Sequence, residues 1–162
     1  MQYGSEYHKN TKSVEIAFPS PGTKYMPADL RVSKIEYNIN KVFVPSALRL
    51  VMSDGTRSPI MGSKEVALDK TYELPHDRKV SKVETGWMYA IGDDVCWSYL
   101  ALIDAKDEIM WRYGGGGPTC ARYVFEAVIP ADETFIGLKL IGDPSDEIEF
   151  ELGWGVVTTS SV

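Results

Sequence analysis

The sequence predicts an all-β protein built around a structural unit that occurs more than once. Apolar and polar residues alternate with a period of two over most of the chain, and turn signals interrupt this alternation at short intervals. The chain also nearly repeats itself, because residues 31–36 (RVSKIE) return 48 positions later as residues 79–84 (KVSKVE). Segments that share hydrophobic spacing in this way are typical of proteins that contain several copies of one supersecondary unit.

Further landmarks follow each copy of this segment in the same order. Residues 48–51 (LRLV) return as residues 100–103 (LALI), at the larger offset of 52 positions. At this second offset, residues 61–62 (MG) fall on residues 113–114 (YG). A weaker third copy begins at residues 135–140 (FIGLKL). The sequence therefore predicts two similar strand units and a more divergent third one.

Each predicted strand is a short alternating segment. Side chains alternate across a strand, so that every second residue faces the same side. The β-branched and aromatic residues that are frequent in these segments suit a pleated, half-buried surface. In chain order, the predicted strands include residues 35–39, 48–52, 83–89, 100–102, 136–140 and 150–156.

Turn residues separate the predicted strands. The sharpest hairpin signal is Ser53-Asp54-Gly55-Thr56, because Asp-Gly supplies the positive φ values of a tight turn. The other breaks contain Gly, Pro, Asp and Ser, and they lie at residues 19–22, 75–77, 92–94, 104–107 and 142–145.

A single domain accounts for residues 13–162, because no linker divides this part of the chain. Residues 1–12 are polar and aperiodic, and we interpret them as an N-terminal tail. A chain of 162 residues is long enough to bury about two-thirds of its unfolded surface without cross-links.

Charge and hydropathy limit the partners of the chain. Its formal net charge of −6 argues against a general electrostatic grip on nucleic acid or on anionic lipid. No apolar run approaches the roughly 20 residues that span a bilayer, so we expect no membrane span. The N-terminus lacks the basic and apolar segments of a signal peptide. We therefore expect a cytoplasmic protein if Met1 is the native start, and an extracellular one if the chain is a processed form.

Three sets of short motifs follow one another with similar spacing. The first set is Val32-x-x-Ile35, then residues 48–55 (LRLVMSDG), then Gly62. The second set comprises residues 83–87 (VETGW), 100–104 and 113–114, and the third comprises residues 135–138 (FIGL) and 152–154 (LGW). Over roughly residues 30–157 the chain thereby resembles the jacalin-like lectins. This resemblance implies a β-prism of three Greek-key sheets related by an approximate threefold axis.

Sugar binding in that family depends on a G-x-x-x-D loop between the last two strands. Residues 142–146 (GDPSD) match this spacing, so the resemblance implies Gly142, Asp143 and Asp146 as carbohydrate-binding residues. A neutral sugar offers many hydroxyls and little apolar area, so its site needs acceptors, backbone donors and an aromatic face. Trp87 and Tyr89, on one face of a strand end, are the candidates for that face. The implied protein is a non-enzymatic module without cofactor or metal, whose partner is a glycan or glycoprotein.

An alternative function remains open at this point. Pro144 lacks the backbone N–H that a sugar-binding loop would use, and Phe150 stands three residues before Gly153, where the family's mannose binders usually place Asp. The chain could therefore be a structural or assembly protein that keeps the prism and has lost the sugar. Broad sheet faces with aromatic residues suit contacts in a homo-oligomer or a larger protein assembly.

Catalytic motifs have little support in the sequence. The glycines at residues 114–117 are not followed by the Lys-Ser/Thr of a phosphate-binding loop, and we interpret them as a connection between strands. Neither His8 nor His76 has a nucleophile motif in its neighbourhood, and His76 is interpreted as a turn residue. We therefore expect no enzymatic activity.

The cysteines and the acidic loops leave smaller questions. Cys96 and Cys120 match no zinc-ligand spacing together with the histidines, and we predict that both are free thiols. A disulfide would require the strand after Cys120 to return beside the strand that contains Cys96. The acidic residues at 93–94 and 143–149 leave calcium binding open.

Overall fold

The structure is a computed structural model that describes residues 2–6, 14–17, 30–39, 45–62, 67–89, 95–114, 123–142 and 153–160. Within these ranges the chain forms twelve β-strands and no helix, which confirms the all-β prediction. The strands are β1 (Gln2–Glu6), β2 (Val14–Ala17), β3 (Val32–Ile39), β4 (Pro45–Met52), β5 (Met61–Gly62), β6 (Lys70–Glu73), β7 (Val80–Tyr89), β8 (Val95–Asp104), β9 (Ile109–Tyr113), β10 (Tyr123–Val128), β11 (Glu133–Gly142) and β12 (Gly153–Ser160).

The described strands form three antiparallel sheets of four strands each. The first sheet has the order β5-β4-β3-β6, the second β10-β7-β8-β9 and the third β1-β12-β11-β2. In the first two sheets, three strands that follow one another in the chain lie side by side, and the fourth returns beside the first of them. This arrangement is the Greek key, which confirms that part of the prediction.

The third sheet has the same arrangement but uses both ends of the chain. Strands β11 and β12 form its central hairpin, β1 pairs with β12, and β2 pairs with β11. Residues Gln2–Glu6, which the sequence analysis placed in a polar tail, are therefore a strand. An edge strand is held by backbone hydrogen bonds to one neighbour, so a polar segment without apolar alternation can form it.

The three central hairpins share one register, which confirms the internal pseudo-threefold repeat. In the first two hairpins, the offsets read from the sequence relate the opposed pairs to each other. Val83 lies 48 positions after Ile35 in the first strand of the hairpin, and Leu102 lies 52 positions after Leu50 in the second. All six residues of the three equivalent pairs are buried. The pairs are Ile35 with Leu50, Val83 with Leu102 and Leu138 with Val156.

The same β-bulge also interrupts all three hairpins near the start of the first strand. In β3 the extra residue is Ser33, between Val32 and Lys34, and its hydroxyl donates to the carbonyl oxygen of Val51 at 3.1 Å. A bulge shifts the alternation by one residue, so Val32 and Ile35 both face the core although they are three positions apart. The equivalent breaks in register lie between Val80 and Lys82 and between Phe135 and Gly137.

A shared hairpin turn follows the second strand in two of the repeats. Gly55 has a φ of 89° and Asp107, 52 positions later, has a φ of 63°. In the Asp54-Gly55 pair only Gly55 adopts a positive φ, whereas the tightest hairpin turn requires it at both residues. The predicted turn is therefore present, but in a wider form.

Buried side chains from all three sheets form one hydrophobic core. An aromatic cluster lies in it: the ring of Trp111 stacks on Tyr113 and on Tyr72, and Tyr37 meets Trp111 and Tyr113 edge to face. Fully buried members of the core include Ile35, Leu48, Leu50 and Met61 of the first sheet, Val83, Leu100 and Leu102 of the second, and Leu138 and Val156 of the third.

The part of the chain that the structure describes contains no helix that could span a membrane.

Candidate functional site

The direction of the strands defines two ends of the molecule. Val32, Val80 and Phe135, at or near the starts of β3, β7 and β11, line one pocket. The three strands therefore start together and run away from this pocket end. At about 3.3 Å per residue, the seven steps from Phe135 to Gly142 cover about 23 Å. We call the far end, where β3, β7 and β11 stop, the loop end.

Gly142, the first predicted sugar-binding residue, lies at the loop end. It is the last residue of β11 and pairs with Val14 of β2. Its neighbour Ile141 pairs with Gly153, the first residue of β12. The segment 143–152 therefore leaves and re-enters the third sheet at two adjacent strands. Both predicted carboxylates, Asp143 and Asp146, belong to this segment and lie outside the described residues.

The predicted aromatic residues belong to the same end of the molecule. Trp87 and Tyr89 are among the last three residues of β7, where Trp87 pairs with Trp97 of β8. The shared register makes Trp87 the equivalent of Gly142 in the neighbouring sheet. Thus the structure brings the backbones of these predicted residues to one end. The side chains of Trp87 and Tyr89 lie outside the described part of the chain.

A second bulge marks the β7–β8 hairpin next to this site. The register shifts between Gly86 and Trp87, and the same shift occurs between Asn38 and Ile39 in the β3–β4 hairpin. Bulges increase the local twist and re-aim the residues beside them, and they are frequent next to functional sites. The backbone at Trp87 is therefore set by the fold and not by a loop alone.

The N-terminal strands are an element of the loop end that the sequence analysis missed. Glu6 of β1 pairs with Gly153, and Val14 of β2 pairs with Gly142. The segment 7–13 and the segment 143–152 therefore both connect strands of the third sheet at the loop end. Strand β1 also packs beside β10 of the second sheet. No local signal in residues 2–6 could have indicated this, because their partner lies about 150 residues away in the sequence.

Side-chain hydrogen bonds support the strands that lead to the loop end. The hydroxyl of Tyr113 accepts a hydrogen bond from the backbone N–H of Ala47 at 3.1 Å and contacts the carbonyl oxygen of Asn38. On the second sheet, burial raises the pKa of Tyr99, and the hydrogen bond that its hydroxyl donates to Glu84 Oε1 at 2.6 Å raises it further. Sites supported by rigid strands and locked side chains hold their geometry better than sites on loops alone.

Metal binding receives no support from the part of the chain that the structure describes. Within it, no group of three or more His, Cys, Asp or Glu side chains could hold a metal ion. The predicted acidic segments at 93–94 and 143–149 lie outside that part. Calcium binding there stays an open expectation.

No protein-family model matches the sequence, and no curated protein matches it. Solved structures do match along most of the chain. A prostate-specific WGA16 glycoprotein lectin has a TM-score of 0.65 at 10% identity, with 98% of this chain and 99% of that chain covered. The Calystegia sepium agglutinin has a TM-score of 0.62 at 12% identity, with 99% and 97% covered.

A third neighbour carries the family in its printed name. A mannose binding jacalin related lectin from Ananas comosus has a TM-score of 0.56 at 12% identity, with 80% of this chain and 83% of that chain covered. The fold is that of the jacalin-related lectins. The resemblance read from the sequence motifs is thereby confirmed at the level of the fold.

Proposed function

We propose that this protein is a non-enzymatic, lectin-like module that binds carbohydrate at the loop end of its β-prism. The observation that carries the proposal is the position of Gly142. This glycine begins the G-x-x-x-D segment, stands at the end of β11, and occupies the place in its sheet that Trp87 occupies in the next. The structural neighbours support the proposal because they are lectins, one of which binds mannose.

The chemistry of the proposed site follows from the residue types of the segment. The carboxylates of Asp143 and Asp146 would accept hydrogen bonds from sugar hydroxyls, and backbone N–H groups after Gly142 would donate to them. Pro144 has no N–H, so this loop offers one donor fewer than a loop without proline. Trp87 or Tyr89 would cover the apolar face of the sugar ring. Binding of this kind moves no proton and breaks no bond, so we assign no catalytic residue.

The partner in this proposal is a glycan or a glycoprotein. A shallow site for one neutral sugar binds weakly, and linked copies of such a site gain avidity from the effective concentration of the second site. Useful affinity therefore favours a homo-oligomer or a partner that displays several sugars.

A glycan array tests the proposal, with two variants beside the wild-type protein. Asp146→Ala removes the proposed sugar acceptor. The matched control Glu108→Ala removes the same charge from an exposed turn at the pocket end of the prism, where no hydrogen bond to the Glu108 carboxylate is found among the described residues. We expect a saturable signal for a subset of neutral glycans that Asp146→Ala abolishes and Glu108→Ala keeps. No signal, or a signal that Asp146→Ala leaves unchanged, would remove the loop end as the sugar site.

A second candidate function, assembly through protein–protein contacts, is favoured by one observation. Val124 and Val128 lie four residues apart on β10 and are 44% and 62% exposed, although both are apolar. Gel filtration with and without competing sugar separates the two functions. A large assembly that sugar does not dissociate favours assembly. A small oligomer that a sugar matrix retards favours the lectin.

A further inference from the structure

The pocket end of the prism contains a cavity that the sugar-binding proposal does not use. The cavity measures about 220 Å³. Val32, Val80 and Phe135 form its apolar floor, and all three are at least 96% buried. These residues occupy equivalent positions in the three repeats, because each precedes the bulge of its hairpin. The cavity therefore lies on the pseudo-threefold axis, about 23 Å from the end of β11.

The residues that precede the floor residues form the rim of this axial pocket. They are Arg31, Lys79 and Thr134, which are equivalent to one another in the three repeats. The fold thus brings two cations and one hydroxyl to the mouth of a single cavity. Cations that converge in this way repel each other, and an anion between them relieves that repulsion.

Neither cation of the rim forms an ion pair with a carboxylate of the described residues. Arg31 Nη2 contacts Nδ1 of His76 and lies 3.2 Å from its Nε2. An imidazole ring carries no negative charge, so this contact leaves the charge of Arg31 uncompensated. Lys79 Nζ donates to the carbonyl oxygen of Ala131 at 2.6 Å, which is also a neutral acceptor. Both side chains keep N–H groups for a further ligand.

The remaining charges around the pocket leave it positive. Arg78 also lines the cavity, but its Nη2 lies 2.8 Å from Asp104 Oδ2, so that carboxylate neutralises it. Asp77 is the one acidic residue among the described residues that line the cavity. Three cations therefore face one lining carboxylate and the carboxylate that pairs with Arg78. This surplus of positive charge stands in a chain with a net charge of −6.

We propose that the axial pocket binds a small oxyanion, a sulfate, phosphate or carboxylate group, between Arg31 and Lys79. The guanidinium and ammonium groups donate charge-assisted hydrogen bonds to such an anion, and Thr134 offers a hydroxyl. The apolar floor keeps water away from these bonds and accepts the C–H face of a sugar ring that carries the anion. This site is independent of neutral-sugar binding at the loop end.

Amide chemical shifts in ¹⁵N–¹H correlation spectra test the site directly. Inorganic sulfate is titrated at constant ionic strength against chloride, into wild-type protein and the variants Arg31→Gln and Lys79→Gln. The matched control Lys70→Gln removes the same charge from β6, where the exposed Lys70 side chain has no ion pair within the described ranges. We expect saturable shifts of the Val32, Val80 and Phe135 amides. Each rim variant should weaken binding about tenfold, as the loss of one charge-assisted bond requires, and Lys70→Gln should change it less than about twofold.

Two results would overturn the proposal. One is a set of shifts that grow without saturation or spread over surface cations. The other is an equal loss of affinity in Lys70→Gln, Arg31→Gln and Lys79→Gln. Spectra recorded without sulfate show whether each variant is folded. If a rim variant is misfolded, Lys79→Met is measured in its place.

A further comparison shows whether the pocket binds a free anion or an anion attached to a sugar. The affinities of galactose 6-sulfate, inorganic sulfate and galactose are measured in the same way. Tighter binding of galactose 6-sulfate than of sulfate assigns the pocket to a sulfated sugar, and equal or weaker binding assigns it to the free ion. Galactose that shifts the same amides as strongly as its sulfate ester would contradict recognition of the anion. Asp146→Ala must leave all these results unchanged, which separates this site from the proposed sugar site.

Discussion

The hydroxyl of Tyr113 is a buried link between the second and the first sheet, and its removal has a predictable cost. Tyr113 belongs to β9 and is fully buried. Its hydroxyl accepts a hydrogen bond from the N–H of Ala47 at 3.1 Å and lies 2.8 Å from the carbonyl oxygen of the same residue. It also contacts the carbonyl oxygen of Asn38. Tyr113→Phe deletes this hydroxyl and keeps the ring that stacks on Trp111 at 5.5 Å.

The size of the stability loss depends on the backbone N–H of Ala47, which loses its hydrogen-bond acceptor in Tyr113→Phe. Ala47 is fully buried, so water cannot replace the acceptor of its N–H. An unsatisfied buried donor costs about 1–3 kcal/mol, and we expect Tyr113→Phe to lower the free energy of unfolding by about 2 kcal/mol. For a chain of this size that loss lowers Tm by about 4–8 °C.

Tyr72→Phe is the matched control. The ring of Tyr72 stacks on the same indole, Trp111, at 5.7 Å and 15°, but no hydrogen bond to its hydroxyl is found in the described part of the chain. We expect Tyr72→Phe to change the free energy of unfolding by less than about 0.5 kcal/mol. Urea unfolding followed by tryptophan fluorescence measures both variants. Equal effects of the two variants, or no effect of Tyr113→Phe, would refute the assignment of a structural role to this hydroxyl.

Three further predictions concern the turns and the thiols. The hydrogen bond from the backbone N–H of Glu108 lowers the pKa of Asp104 below 3.8, so its contribution to stability is complete above pH 3.8 and is lost as the pH falls through the lowered value. Urea midpoints between pH 6 and 3 should therefore fall less steeply for Asp104→Asn than for wild type, and parallel curves would contradict this. Gly55→Ala should lower the free energy of unfolding by about 1 kcal/mol, because a residue with a Cβ is strained at the φ of 89° that Gly55 adopts. The added Cβ meets no atom within 4 Å, so no steric clash contributes, and an unchanged Tm would argue against backbone strain at this position. Cys96 and Cys120 should take two alkyl groups under denaturing, non-reducing conditions, and intact mass showing none would reveal a disulfide. Cys120 lies outside the described residues, but β10, the strand that follows it, is separated by β7 from β8, which contains Cys96.

The repeat was readable from the sequence because the hairpins conserve their register. The change of offset from 48 to 52 positions also has a structural cause. The β7–β8 hairpin continues for two further pairs, Met88 with Cys96 and Tyr89 with Val95, and these four residues have no counterpart among the described pairs of the β3–β4 hairpin. Period-two alternation and repeated offsets thus predicted the strands of the three central hairpins and the all-β fold class.

Other parts of the fold could not be predicted locally. Strand β1 is polar and is held by backbone bonds to a strand at the other end of the chain, so no alternation in residues 2–6 marks it. The axial pocket was missed for a related reason. Arg31 and Lys79 are 48 positions apart in the sequence, and both line one pocket because the strands that follow them begin at the same end of the prism. The one indication in the sequence was that Arg31 and Lys79 occupy equivalent positions in the repeat.

The candidate sugar site stays a prediction from the resemblance. The resemblance to a lectin loop selected Gly142, and the structure places it at a strand end that Trp87 shares through the pseudo-threefold relation. Whether Asp143 and Asp146 contact a ligand depends on the conformation of a loop, which a short G-x-x-x-D spacing does not determine.

The most direct test of the central claim is to locate sugar binding on the prism. The neutral glycan with the strongest array signal is titrated into ¹⁵N-labelled protein, and amide shifts are followed in correlation spectra. Binding at the loop end predicts saturable shifts of the Gly142 and Gly153 amides, with the Val32 and Val80 amides at the pocket end unchanged. Saturable shifts confined to the pocket end, or no shift at Gly142 and Gly153 at saturating sugar, would contradict it.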